Sequence, residues 1–198
     1  MNIGIDIDDT ISNTYEIMFN DAQKYTIEKL GRNGQIYKEN LKTHMYCKEM
    51  HNWTDKETAD FLDEYYESIM KEVKPIKYVS EIIKKLKDEG NTIYLITARF
   101  QNEKFDIEKV TKEWLRNNKI IYDKLFLNCD TKTNIVKKNN IDIFIDDSFK
   151  NCKEVSQMGV KTYLFNNIAN EDFEDENIER VYSWPHLYQE ITKIKEVN

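Results

Sequence analysis

At 198 residues the chain is long enough for one well-buried domain with an insert, and short for two independent domains. Hydrophobic residues make up 40% and charged residues 33%, which suits a globular protein in water. The formal net charge of −7 (29 Lys+Arg against 36 Asp+Glu) disfavours a binder of duplex nucleic acid, since an acidic surface repels phosphate backbones.

Met1 leads directly into residues 2–7 (NIGIDI), an apolar β-branched run that reads as a strand, so no signal peptide is expected. A helix is expected over 13–30, with Tyr15, Met18, Phe19, Ala22 and Thr26 near one face and Gly31 as its stop. Residues 31–53 read as irregular. Cys47 sits here between His44 and His51, but no second ligand cluster completes a tetrahedral shell. With Cys129 and Cys152 the cysteines are odd in number and unpaired in spacing, which argues against a disulfide framework. Thr54 and Glu57 form a capping-box pattern, and Leu62, Tyr65, Tyr66, Ile69, Met70 and Val73 recur at helical spacing until Pro75.

The pattern then alternates. Val79, Ile82, Ile83 and Leu86 mark a helix that Gly90 ends, and 92–96 (TIYLI) is a buried-type strand. A helix over 104–118 turns Ile107, Val110 and Trp114 inward. Strand 122–127, helix 133–139 and strand 141–145 follow. Ser148 caps a helix through Met158, and 160–165 is a fifth strand. The acidic stretch 171–180 reads as solvated loop, and Ser183 with Pro185 opens a last helix.

Strands alternating with helices imply an α/β fold whose mainly parallel sheet is covered on both faces. The stretch between Thr10 and Thr97 far exceeds the about 30 residues of a simple crossover unit. Residues 13–74 are therefore expected as a helical insert beside a core formed by 1–12 and 75–198. No apolar stretch approaches the about 20 residues of a membrane span. A cytoplasmic, reducing setting is the expectation.

Ligands of open parallel sheets bind beyond the carboxyl ends of the strands. The first strand ends in Asp6-Ile7-Asp8-Asp9-Thr10, the second in Thr97-Ala98-Arg99, the third near Asp130-Thr131-Lys132 and the fourth in Asp146-Asp147-Ser148. Clustered carboxylates repel one another unless a cation joins them, and hard oxygen ligands select Mg2+. One carboxylate can attack phosphorus and another, two residues on, can protonate the leaving oxygen and then activate water. Asp6 suits the first role and Asp8 the second. Thr97 and Lys132 suit a phosphate clamp, and Asp146 and Asp147 complete the metal site. Arg99 suits either a substrate clamp or a pair with a core acid. Asp9 or Thr10 suits capping of the next helix.

The motifs IGIDIDDT, LITAR and IFIDDS, in that order, resemble those of the haloacid dehalogenase (HAD) superfamily of phosphatases. The wording of the last two and the helical insert resemble the C-type 5′(3′)-deoxyribonucleotidases and their bacterial relatives. The resemblance implies a Rossmann-like core with a small helical cap after the first strand, and Mg2+-dependent hydrolysis of a nucleoside monophosphate through an aspartyl phosphate. By residue it implies Asp6 as nucleophile and Asp8 as general acid/base. Thr97, Ala98, Arg99 and Lys132 would lie at the phosphate, and Asp6, Asp8 (through its carbonyl) and one or both of Asp146 and Asp147 at the metal. The third motif departs from the family pattern by an extra Thr131, and Lys132 is preferred to Lys137 and Lys138 because it lies nearer the strand end. The partner is then a small phosphomonoester, with no nucleic-acid polymer and no membrane, for a monomer or homodimer. Sugar phosphates, or a non-catalytic nucleotide sensor, are the rival readings. In the aromatic-rich insert, which also carries Tyr46, the residues Phe61, Tyr65 and Tyr66 read as helix packing. Trp53, in irregular chain, is the candidate to stack on a base.

Overall fold

The computed structural model describes residues 1–37, 46–101 and 103–197; His44 and the side chain of Tyr46 fall outside them. The apolar runs form strands β1 (Asn2–Ile5), β2 (Thr92–Ile96), β3 (Lys124–Phe126), β4 (Ile143–Asp146), β5 (Lys161–Phe165) and β6 (Ile178–Val181). The helices are α1 (Thr14–Glu28), α2 (Tyr46–Met50), α3 (Asp55–Glu72), α4 (Val79–Asp88), α5 (Ile107–Asn117), α6 (Thr133–Lys138), α7 (Phe149–Ser156) and α8 (Trp184–Val197).

All strands pair in parallel in the order β3-β2-β1-β4-β5-β6. The chain moves outward from β1 to β3, then returns to start again at β4. That reversal opens a crevice at the carboxyl ends of β1 and β4. Alternation along the strands sorts side chains onto two faces. Ile3, Ile5, Ile93, Leu95, Ile143 and Ile145 pack with Val79, Ile83 and Leu86 of α4, Trp114 and Leu115 of α5, and Trp184, Leu187 and Ile191 of α8. Tyr94, Ile96 and Phe144 pack on the other face with Val136 of α6 and Val155 of α7. Gly4 allows that second layer to close on β1: a Cβ there would meet Ile141 Cγ2 and Ile96 Cδ1 at 3.2 Å.

Two sequence expectations are corrected. The 171–180 stretch does not end as solvated loop, because β6 begins at Ile178 and pairs with β5. An edge strand needs only one paired side, so two apolar residues in Ile178-Glu-Arg-Val suffice, and the acidic flank hides the pattern. Within 31–53 a short helix, α2, supplies Cys47 and Met50 to a buried cluster.

That cluster belongs to α1, α2 and α3. Ala22, Tyr25, Met50, Trp53, Phe61, Tyr66, Ile69 and Met70 form a core of their own, joined to the sheet layer through Ile107 and Val110 of α5. Burial of a side chain such as Phe61 contributes roughly 1.5–3 kcal/mol. Both halves of the Thr54–Glu57 capping box are made, with Glu57 N donating to Thr54 Oγ1 (3.2 Å) and Thr54 N to Glu57 Oε2 (2.8 Å). The chain leaves and re-enters the sheet layer side by side. Ser12 and Pro75 form an antiparallel bridge, Asn13 N donates to Lys74 O (2.8 Å) and Ile76 N to Ile11 O (2.9 Å).

Candidate active site

Strand register brings the first two acids together. Ile5 lies opposite Ile145, so the next residues, Asp6 and Asp146, leave the sheet as neighbours, with Asp6 N donating to Ile145 O at 2.9 Å. Beyond them the Ile7 carbonyl accepts from the amides of Thr10, Ile11 and Ser12 at 3.3, 2.9 and 3.0 Å. Asp9 adopts the left-handed φ of 57° that this tight turn needs and that Asp tolerates. Its carboxylate accepts from Tyr15 N at 2.6 Å and so caps the first turn of α1.

Lys132, at the start of α6, is 2% exposed and its ammonium donates to both Asp6 Oδ1 and Asp146 Oδ2, the latter at 2.7 Å. Lys137 and Lys138 are exposed. Asp146 also accepts from Ser148 N (2.8 Å) and Asn151 Nδ2 (3.1 Å), and Ser148 caps α7. Carboxylate oxygens of Asp6, Asp146 and Asp147 lie within 4.8 Å of one another. Asp147 accepts from Asn167 Nδ2 at 2.6 Å.

Asp8, which lines the same cavity, has different partners. Arg99 holds it with a fork, Nε to Oδ2 at 3.0 Å and Nη2 to Oδ1 at 2.8 Å, and Thr14 Oγ1 donates to Oδ1 at 2.7 Å. Of the two uses expected for Arg99, the structure contains the acid pair. Thr97 is buried, with its hydroxyl accepting from Arg99 N at 3.2 Å, and Ala98 is exposed at the cavity rim.

The electrostatics follow from this packing. Burial pushes the Asp6 carboxyl up to about 8, with Lys132 pulling against it and Asp146 and Asp8 adding to the rise. Burial, then the charges of Asp9, Asp146 and Asp6, raise Asp147 well above the carboxylate range. Burial also works against the Asp8 charge, but the Arg99 fork and the Thr14 hydroxyl outweigh it and hold that carboxyl below its ordinary value. Burial opposes the Lys132 ammonium as well, yet Asp146 and Asp6 keep it charged. A trio of hard oxygen donors, two of them costly to ionise together, is a donor set that fits Mg2+.

These groups form the floor of a cavity of about 520 Å3, whose walls include Met18, Phe61, Leu62, Tyr66, Met70 and Phe100. Trp53 borders it but is 4% exposed, packed against Tyr25 and Phe61 with Nε1 donating to Thr26 Oγ1 at 3.0 Å. Its ring is thus committed to the helical cluster, as are Phe61 and Tyr66. Tyr66 stacks on Phe100 at 4.7 Å. His51 has both ring nitrogens engaged, with Cys47 O and Gln23 Oε1 at 2.9 Å each. The cysteines are free and buried. Thr14, Asn151 and Asn167 were not anticipated from sequence. Asn151 carried a faint signal, three residues after a capping serine; the other two carried none.

A family described as 5′ nucleotidase, deoxy (pyrimidine), cytosolic type C protein matches residues 1–197. The chain belongs to that family. Among its relatives, a nucleotidase of Clostridium acetobutylicum is 31% identical in an alignment of 199 positions that covers 99% of this chain and 96% of that protein. The chain also shares its fold with solved structures. A haloacid dehalogenase-like hydrolase of Streptococcus pneumoniae superposes with a TM-score of 0.68 at 11% identity, covering 98% of this chain and 97% of that one. CbbY of Rhodobacter sphaeroides, solved with phosphate, gives 0.64 at 15% identity, covering 94% and 95%. The protein is therefore a hydrolase of the phosphatase and nucleotidase kind on a HAD fold. No helix among the described residues is long and apolar enough to cross a membrane.

Proposed function

We propose that the protein is a Mg2+-dependent phosphatase of nucleoside monophosphates that works through an aspartyl phosphate on Asp6. The observation that carries this reading is the floor of the cavity, where Lys132 bridges Asp6 and Asp146 and Asp147 completes a carboxylate trio. Residues 13–74 act as a cap over that floor, a division supported by their separate core and by the paired crossing at Ser12 and Pro75.

Asp6, Asp146 and Asp147 would hold Mg2+, with Asp8 contributing its backbone carbonyl. The ion would offset charge on the phosphoryl group and on the carboxylates. Thr97, Ala98 and Lys132 receive the phosphate oxygens, and the Lys132 ammonium holds Asp6 in place for in-line attack. Asp6 forms a bond to phosphorus as the ester P–O bond breaks, and Asp8 gives a proton to the leaving alkoxide. Water then attacks the aspartyl phosphate, Asp8 takes its proton, and the P–O bond to Asp6 breaks to release phosphate. The resting Arg99 fork keeps Asp8 ionised. A phosphate that draws on the same guanidinium loosens this hold and lets Asp8 carry the proton that the first step requires.

The walls of the cavity favour a leaving group with an apolar, flat body, as a nucleoside has. A panel of purine and pyrimidine monophosphates, in ribo and deoxy forms, set against sugar phosphates with and without Mg2+ tests this. Mg2+-dependent phosphate release that favours nucleotides is the expected result. Equal or greater turnover of sugar phosphates would reject the nucleotide substrate, and tight nucleotide binding with no turnover would reject the chemistry.

A further inference from the structure

Among the described residues Asp147 is the member of the carboxylate trio with no ion pair to a buried cation, and an asparagine holds each end of it. Its carboxylate accepts from Asn167 Nδ2 at 2.6 Å, and its backbone carbonyl accepts from Asn170 Nδ2 at 2.8 Å. Asn170 is 1% exposed, and both polar atoms of its amide are engaged. Nδ2 also donates to Phe165 O at 2.8 Å, while Oδ1 accepts from Asn167 N at 3.2 Å and from Arg180 Nη1 at 2.6 Å. Two carbonyls on one side and two donors on the other admit only an amide in this orientation.

Arg180 closes the arrangement from β6. Its guanidinium donates to Asn166 Oδ1 and Asn170 O at 2.9 Å each, and to the Phe173 carbonyl. A planar fork that serves four oxygens on one loop fixes that loop as a unit. The edge strand thus has a purpose in the site, because it delivers the arginine that shapes the loop after β5, which in turn aims Asp147.

We infer that Asn167, Asn170 and Arg180 are positioning residues for the metal, holding Asp147 in a ligating pose that its repulsion from Asp6 and Asp146 would otherwise undo. This rests on the reading of the trio as the Mg2+ site. A single hydrogen bond from Asn167 leaves the remaining lone pairs of Asp147 for a cation and fixes the direction of the carboxylate. Removal of Asn167 lets the carboxylate swing away from its two neighbours, and removal of Asn170 or Arg180 lets its backbone follow.

The test is calorimetric titration of Mg2+ into the full chain without substrate, alongside the metal dependence of phosphate release. Outer-shell partners of a metal site typically affect affinity about 10- to 100-fold. Asn167→Ala is expected to weaken Mg2+ binding by about that factor, while kcat at saturating Mg2+ stays within a few-fold of wild type. Asn167→Asp, close in shape but without the donor, is expected to weaken it at least as much. Arg180→Lys, two contacts removed, is expected to give a smaller loss. A variant that melts earlier yet binds Mg2+ with unchanged affinity shows a structural role only and overturns the inference. Wild-type protein that binds no Mg2+ overturns the parent reading of the trio, and this inference with it. Wild-type binding with unaltered affinity in both Asn167 variants overturns this inference alone.

Discussion

The floor and the walls of the cavity are built by opposite means. On the floor, buried charges are fixed by strand register and by short hydrogen bonds: Lys132 to two acids, Arg99 to Asp8, Asn167 to Asp147. In the walls, α1, α2 and α3 hold Phe61, Met70 and Trp53 by apolar contact, with few polar bonds among them. A floor of this kind is poor in stability and rich in chemistry, since buried like charges oppose the fold that assembles them. A wall of this kind is the reverse. Removing a floor acid is therefore expected to separate activity from stability, removing the floor cation to expose the repulsion it offsets, and changing the wall to alter stability first.

Asp6→Asn is the strongest way to break that contrast. The variant is expected to lose at least about a thousandfold in turnover, or about 4 kcal/mol of barrier. Its melting temperature should not fall, because burial and the neighbouring acids hold the Asp6 carboxyl up near 8 and a neutral amide relieves that opposition. Parallel phosphate-release assays and thermal melts read both quantities. Normal turnover would remove Asp6 from the chemistry, and a large drop in melting temperature would mean that the floor stabilises the fold.

Lys132→Met sharpens the same point from the cation side. Without its ammonium, Asp6 and Asp146 stay buried and unpaired, and breaking such a pair costs about 3–5 kcal/mol. Added Mg2+ should restore part of that loss, since an ion that binds only the folded state stabilises it. Denaturant unfolding with and without Mg2+ measures both. If the variant is as stable as wild type in the absence of metal, the acids are not held by Lys132.

In the wall, Phe61→Ala is expected to cost about 3 kcal/mol, the lower end for an aromatic truncation because one side of the ring borders the cavity. Turnover at saturating substrate should survive, with a raised KM. A collapse of kcat with stability intact would place Phe61 on the reacting atoms and dissolve the distinction.

The two regions also differed in how far the sequence disclosed them. Charged residues at the ends of apolar runs are a local signal, and Asp6, Asp8, Thr97, Lys132, Asp146 and Asp147 all line the cavity. The capping box at Thr54 and the inward faces of α4 and α5 were equally local. What stayed hidden depends on partners distant in the chain. Arg99 had two open uses until Asp8, 91 residues away, was seen to take its fork. Asn167 and Asn170 look like any other asparagine in a chain rich in them, and Arg180 lay in a stretch whose acidity concealed an edge strand. Trp53 read as available because irregular chain was expected around it, but its position just after α2 turns it into the helical cluster.

The smallest expected effect concerns pH and the wall. His51 is buried between Trp53 and Phe19, and burial lowers its pKa, with its contact to the Cys47 carbonyl opposing that by less. Unfolded histidine titrates near about 6.5. Above that value His51 is neutral in both states and costs nothing. As pH falls below it, the unfolded chain takes up the proton first, so stability is lost progressively down to the lower folded value. His51→Gln lacks this group, whereas the acids of the floor titrate alike in both proteins. The difference in melting temperature between wild type and variant should therefore move in favour of the variant between pH 7.5 and 5.5, about one unit either side of the unfolded pKa. Parallel profiles would mean that the helical cluster opens enough to solvate the imidazolium, and the wall would then be softer than its packing implies.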